Sequence, residues 1–342
     1  METNIISKKK PFYKINDYLK EYLSKYNRMI QIPFSYNELL RYFFSIPQKD
    51  KLGNDTLWQT VMFQPFEMED IHHRLVKMYA MMKFDGNESF MEHLLVERVD
   101  YCAFGNSKPF RICIVNQYND NHDYYYVKIA DASRIYGLEL EDILSPNRIN
   151  FLVNQDTLIE EHIVGIPGDM FMKPEYRWMV VNEVRMAKEF VKFNERCFVR
   201  LLGDMRAYNF VIDVTADFDD VQYRFRAIDF DQQCYEGKKT LYLPQYYKEN
   251  KHFVDLCIKL INEETMKQYQ QEERSLIAKR YKRARKRIDL LLEAMVKDTI
   301  SLPEKENSLK KELAAYYNHP PFLKCANMGE IMRVNLNLLI EN

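Results

Sequence analysis

Glycine and proline are scarce in this chain, 9 and 12 among 342 residues. That scarcity excludes long flexible linkers, collagen-like repeats and low-complexity arrays. Cysteine is sparse as well: Cys102, Cys113, Cys197, Cys234, Cys257 and Cys325 stand far apart, with no Cys-x-x-Cys among them. The spacing argues against a zinc ribbon or a disulfide framework and fits buried or incidental thiols in a reducing cytoplasm. Neither sign of charge is in excess, with 49 Lys plus Arg against 50 Asp plus Glu. Such balance lacks the field of a dedicated nucleic-acid or membrane-surface binder, so nucleic acid is not an expected partner. No apolar run approaches the ~18 to 20 residues of a membrane span. Lys8, Lys9 and Lys10 are followed by Pro11, Tyr13, Asn16 and Asp17 where a signal peptide would need an apolar core. A soluble cytoplasmic protein without membrane contact is expected.

What is present is ordinary globular composition, 46% hydrophobic and 29% charged, long enough for about two domains. The first ninety residues read as helices. Ile15, Leu19, Tyr22, Leu23 and Tyr26 recur at helical spacing. A short helix is expected over Asn37–Phe44, ending before Pro47. Another is expected from Glu69 to Phe84, with Ile71, Leu75, Met78, Tyr79 and Met82 on one face and a stop at Asp85-Gly86-Asn87. His72 and His73 are neighbours on that helix, point in different directions and are expected to be structural.

From about residue 93 the period changes to that of strands. Segments 94–99, 111–115 and 124–129 are aromatic and β-branched, separated by Phe104–Pro109 and Asn119–Asp123, and read as an antiparallel meander. The Asn119–Asp123 cluster lacks the glycine and distal glutamate of a calcium loop and reads as a hairpin tip. A helix over Ser133–Leu144, strands at 149–153 and 158–164, a break at Gly165–Gly168 and a long helix from Glu175 to about Phe193 follow.

Two segments carry chemistry. Gly203-Asp204-Met205-Arg206-Ala207-Tyr208-Asn209 leads into the apolar run Phe210-Val211-Ile212; after a hairpin comes Ile228-Asp229-Phe230-Asp231. An Asp followed five residues later by Asn is common by itself; an apolar strand, a hairpin and Ile-Asp-Phe-Asp behind it make the pattern specific. Phosphoryl transfer asks chiefly for positioning and charge neutralisation. A loop carboxylate such as Asp204 suits orienting or deprotonating an attacking hydroxyl. Asn209 and Asp229 are the hard oxygen donors Mg²⁺ prefers.

Over residues 93 to about 245 the chain resembles the protein-kinase-like superfamily, most closely in motif its aminoglycoside phosphotransferase and choline kinase branch. The resemblance implies an α+β, bilobal protein-kinase-like fold: a helical N-terminal extension (1–92), a small antiparallel-sheet lobe of five strands (93–166) and a mainly helical large lobe (167–342). It implies ATP and Mg²⁺ in the cleft, Asp204 as catalytic base and Asn209 and Asp229 as metal ligands. Lys128, on the third strand, would hold phosphate. Of Glu139 and Glu141 on the next helix, Glu141 is favoured as the partner of Lys128. Backbone groups of Glu161 and Ile163 would face the adenine, and Gly105 would lie in the phosphate-covering loop. Departures from the pattern are the single glycine of that loop, Leu202 where many relatives carry His, and Asp231 in place of Gly.

The expected activity is ATP–Mg²⁺-dependent transfer of the γ-phosphoryl group to a hydroxyl of a small molecule or protein. The alternative is an inactive or nucleotidyl-transferring kinase-like protein serving as a nucleotide-binding regulatory or scaffolding module. Lys279–Arg287 is the one dense basic run; it reads as a solvated helix balanced by Glu263, Glu264, Glu272 and Glu273, with an RNA or acidic-substrate contact as the sharper alternative. A Gly-x4-Gly-Lys-Ser/Thr loop, a His-Glu-x-x-His and a Gly-x-Ser-x-Gly elbow are all absent from the sequence.

Overall fold

The structure is a computed structural model and describes residues 10–50, 53–84, 88–104, 106–180, 182–217 and 220–341. The chain divides into two units: one comprises the chain through Asp131 together with Asn150–His162, the other Ala132–Ile149 together with the chain from Ile163 onward. In chain order the elements are α1 (Asp17–Lys25), α2 (Tyr36–Leu39), β1 (Phe44–Lys49), β2 (Asp55–Met62), α3 (Pro65–Lys83), β3 (Leu94–Tyr101), β4 (Phe110–Asn116) and β5 (Asn121–Ile129). Then come α4 (Ala132–Leu144), β6 (Phe151–Asn154), β7 (Thr157–Glu161), β8 (Ile166–Pro167), α5 (Gly168–Phe171) and α6 (Glu183–Arg200). The remainder is β9 (Phe210–Asp217), β10 (Asp220–Ala227), α7 (Lys251–Leu260), α8 (Glu263–Arg283), α9 (Arg285–Val296), α10 (Pro303–Tyr317) and α11 (Met328–Glu341). The architecture is therefore mixed α+β.

The first unit is one antiparallel sheet of seven strands, ordered β1-β2-β3-β4-β5-β7-β6. Its core lies on one face, where Leu75, Met78 and Tyr79 of α3 pack with Phe110, Ile112 and Ile114 of β4 and Tyr125 and Val127 of β5. Alternation along β4 and β5 sends Cys113, Tyr124, Tyr126 and Lys128 to the other face. Asp100 is fully buried and is satisfied by Gln48, Thr60, Arg98 and Arg111. A buried carboxylate without such donors would cost several kcal/mol, on the order of its desolvation penalty.

The described residues among 1–92 are not a separate helical extension. Within them β1 and β2 extend the sheet, and Lys10 bonds Asp131, at the end of β5, at 2.7 Å. The helix expected over Asn37–Phe44 stops at Leu39, and a strand starts at Phe44. Pro47 is accommodated because β1 is the sheet's edge, where a missing N–H breaks no ladder. The helix stop expected at Asp85-Gly86-Asn87 lies outside the described residues.

The second unit is mainly helical, with a small sheet ordered β10-β9-β8. The long helix expected from Glu175 is displaced: its first turn forms at Glu183, with Asn182 accepting a bond from the Arg185 N–H at 2.9 Å, and it runs on to Arg200. Trp178, expected on that helix, is 72% exposed in a preceding 3₁₀ turn. The last two turns carry Asn194, Glu195, Arg196 and Arg200, polar side chains that look like a surface but are buried with partners. Glu195 takes Arg274 at 2.5 Å, and Arg200 takes Glu141.

Much of the basic run is likewise paired: Arg287 with Glu139 and Asp142, Arg285 with Asp289, and Arg280 with Glu273. Only Glu273 among those acids had been expected in that role. No described helix is long and apolar enough to cross a membrane.

Candidate active site

The loop after α6 is built by backbone bonds. Leu201 ends the helix in left-handed geometry (φ 52°), and Gly203 N–H donates to the Gln232 carbonyl at 3.2 Å. Asp204 is itself left-handed (φ 56°), a conformation that Asp and Asn tolerate better than most residues. The Asn209 amide nitrogen donates to the Asp204 carbonyl at 2.7 Å and to Asp204 Oδ2 at 3.3 Å. The Asn209 carbonyl accepts from Ile228 N–H at 3.0 Å, which ties the Asp204 loop to the segment carrying Asp229.

Asp204, Asn209 and Asp229 therefore belong to one loop cluster within the second unit. Tyr208 senses both carboxylates: burial raises its phenol, Arg206 opposes the rise, and Asp204, Glu249 and Asp229 add to it.

Two arginines to which the sequence analysis gives no role organise the acids. Arg206 Nε donates to Asp204 Oδ1 at 2.8 Å, and its Nη1 to Glu249 Oε1 at 2.9 Å. The Asp204 backbone N–H donates to the Tyr247 hydroxyl at 3.0 Å. Burial raises the Asp204 carboxyl above the usual carboxylate range, Arg206 pulls it down, and Glu236 and Glu249 push it up. A carboxylate whose proton affinity burial raises, while one guanidinium still holds it, is suited to accept a proton.

On the other side, buried Arg134 of α4 donates from Nη2 to Asp229 Oδ1 at 2.6 Å and from Nε to Asp231 Oδ1 at 2.7 Å. Asp229 Oδ1 also accepts the Asp231 N–H at 3.0 Å. Gly137 lets α4 lie this close, since a Cβ there would stand 3.0 Å from Cβ of Phe230. Arg206 had a faint signal, a cation between two motif positions; Arg134, some 95 residues away, had none.

As magnesium ligands the donors fit. The Asn209 nitrogen is committed to Asp204, so its oxygen is the end available to a cation, and the Asp229 side chain keeps 33% of its surface exposed. Both are hard oxygen ligands.

Lys128, Glu141, Glu161 and Ile163 are carried by other segments. Lys128 sits on β5, 6% exposed, and its ammonium donates to Glu160 Oε2 on β7 at 2.5 Å, so the acid beside it comes from the neighbouring strand. Glu141 is not that acid: it lies in the second unit, buried against Arg200 and Asn147. The Glu161 N–H donates to the Asn150 carbonyl at 3.0 Å, so that donor is committed within the first unit. Ile163 belongs to the second unit and is buried. His162 packs its ring near Tyr124 and Tyr126, and burial lowers its pKa, which suits a structural role. Gly105 lies outside the described residues. No protein-family model matches this chain, and no curated protein matches it.

Proposed function

We propose that this chain is an ATP–Mg²⁺-dependent phosphotransferase of kinase-like bilobal architecture, acting on a hydroxyl of a small molecule or protein. The reading rests on the bond from Ile228 N–H to the Asn209 carbonyl together with the Asn209–Asp204 bonds, which gather one amide and two carboxylates from segments about twenty residues apart. Asp204 orients and deprotonates the attacking hydroxyl. Arg206 sets the direction of its carboxylate and limits the rise of its pKa. Asn209 and Asp229 hold Mg²⁺, which when bound neutralises phosphate oxygens. Lys128, kept in place by Glu160, is the cation for nucleotide phosphate.

A second reading has one observation in its favour. The Arg134 guanidinium already engages Asp229 Oδ1, as a resident cation would in a nucleotide-binding module without turnover.

Purified protein incubated with Mg²⁺ and ATP labelled at the α or the γ phosphate separates the readings. Transfer of γ label, lost by about 10²–10⁴-fold in Asp204→Asn and Asp229→Asn, is expected. Transfer of α label would replace the proposal with nucleotidyl transfer; binding without transfer of either label would replace it with the module.

A further inference from the structure

The first unit holds a second cluster of ligating side chains, none of which the proposed reaction uses. Strand β3 carries an extra residue between Val96, which pairs with Ile114, and Arg98, which pairs with Cys113. Glu97 is that residue. A bulge of this kind sets two residues opposite one and turns the extra side chain toward its partner's face. Glu97 Oε2 consequently reaches Cys113 Sγ at 2.9 Å.

The adjoining strand β5 supplies His122, whose Nδ1 stands 3.0 Å from the same Glu97 oxygen and 4.0 Å from Cys113 Sγ. Three ligand atoms of three chemical types thus converge, the one such group of His, Cys, Asp and Glu found among the described residues.

We propose that Glu97, Cys113 and His122 form a divalent transition-metal site, best suited to Zn²⁺. Ligand atoms about 3 to 4 Å apart can share an ion at the ~2.0 to 2.3 Å distances zinc takes to oxygen, nitrogen and sulfur. A mixed thiolate, imidazole and carboxylate set favours zinc over magnesium or calcium. Three protein ligands leave the fourth position of a tetrahedron for water or another ligand.

His122 Nε2 lies 3.8 Å from Asp120 Oδ1, placed to be oriented by that carboxylate once Nδ1 binds metal. Arg98, whose charge acts on both Glu97 and Cys113, donates to both oxygens of Asp100, at 2.9 and 3.0 Å. Glu97 and His122 are partly exposed, 43% and 40%, while Cys113 is buried, so an ion would enter from the side of the acid and the imidazole.

Binding has a proton signature. Burial, reinforced by Glu97, pushes the Cys113 thiol up to about 11, so it is protonated at neutral pH without metal. Zinc must replace that proton: a Zn–S bond forms, the S–H bond breaks heterolytically, and one H⁺ passes to buffer with no change of oxidation state.

The test titrates metal-stripped full-length protein with Zn²⁺ alone by calorimetry, in two buffers of different ionisation enthalpy. One zinc per chain with about one proton released is expected, and Co²⁺ in its place should give a thiolate-to-cobalt charge-transfer band. Cys113→Ser should lose both the band and the proton. Because that buried change can disturb folding, Glu97→Gln and His122→Ala at the partly exposed positions are run beside it. Each should weaken zinc by more than the ~10–100-fold typical of losing a residue behind a ligand, and Asp120→Asn by about tenfold. Zinc binding that releases no proton, gives no thiolate band with cobalt, or survives Glu97→Gln and His122→Ala unchanged would overturn the site and leave Cys113–Glu97 as a plain hydrogen bond.

Discussion

Two charged pairs, one in each unit, are built in opposite ways. In the first, Lys128 and Glu160 form a closed pair, their side chains 8% and 6% exposed. In the second, Asp204 and Arg206 pair with 36% and 34% exposed, and Asp229 is open to a similar degree. A buried ion pair adds little net stability while it is whole but costs much when halved, whereas an exposed one leaves its carboxylate able to exchange partners. The contrast separates a lysine locked by its sheet from acids left in reach of solvent and ligand.

The sharpest way to break that contrast is to halve the closed pair. Glu160→Gln takes a carboxylate away from a buried ammonium and is expected to destabilise the protein by about 3–5 kcal/mol in urea unfolding. The double change Lys128→Met with Glu160→Leu should recover most of that loss. If Glu160→Gln alone costs under about 1 kcal/mol, the pair behaves like an exposed one and the distinction fails.

A smaller effect is expected at the open end. Arg134→Gln removes the guanidinium beside Asp229 and Asp231, which should cost about 1–3 kcal/mol of stability yet tighten Mg²⁺ binding several-fold in a titration of the full chain. Weaker Mg²⁺ binding would mean that Arg134 aims Asp229 rather than competing for it.

The smallest expected change is in pH dependence. Because the folded Asp204 carboxyl lies above its unfolded value, the stability it contributes is fully present below the unfolded pKa and is lost as pH rises through the folded one. Asp204→Asn should therefore raise the melting temperature slightly near neutral pH while lowering the proposed phosphoryl transfer by about 10²–10⁴-fold. The acid limb of the rate profile should lie above the ordinary Asp range and rise further in Arg206→Gln. An acid limb unmoved by that change would dissociate Arg206 from Asp204.

Much of the first unit was legible because its strands follow a clean alternation; the meander 94–129 and the face Ile71, Leu75, Met78, Tyr79, Met82 stand where periodicity put them. The β1–β2 hairpin was hidden because Pro47 reads as a stop, and only the sheet's order reveals that it occupies an edge. The second half of α6 was hidden by buried Asn194, Glu195, Arg196 and Arg200, whose partners lie tens of residues away. The grouping of Asp204 with Asn209 was readable from local spacing. The pairing of Lys128 with Glu160 was not, since strand register brings those two together across an intervening helix. Glu97, Cys113 and His122 share no spacing motif at all; a bulge and two registers unite them.

The chain passes between the units at residues 131/132, 149/150 and 162/163, and β7 enters the sheet between β5 and β6 only after α4 has been laid down elsewhere. During synthesis the sheet must therefore wait for residue 161 before β5 gains its second neighbour, exposing a raw edge in the interim. Any fragment cut at residue 131 would keep that edge permanently, so a recombinant small unit is expected to aggregate unless residues 150–162 are grafted onto it.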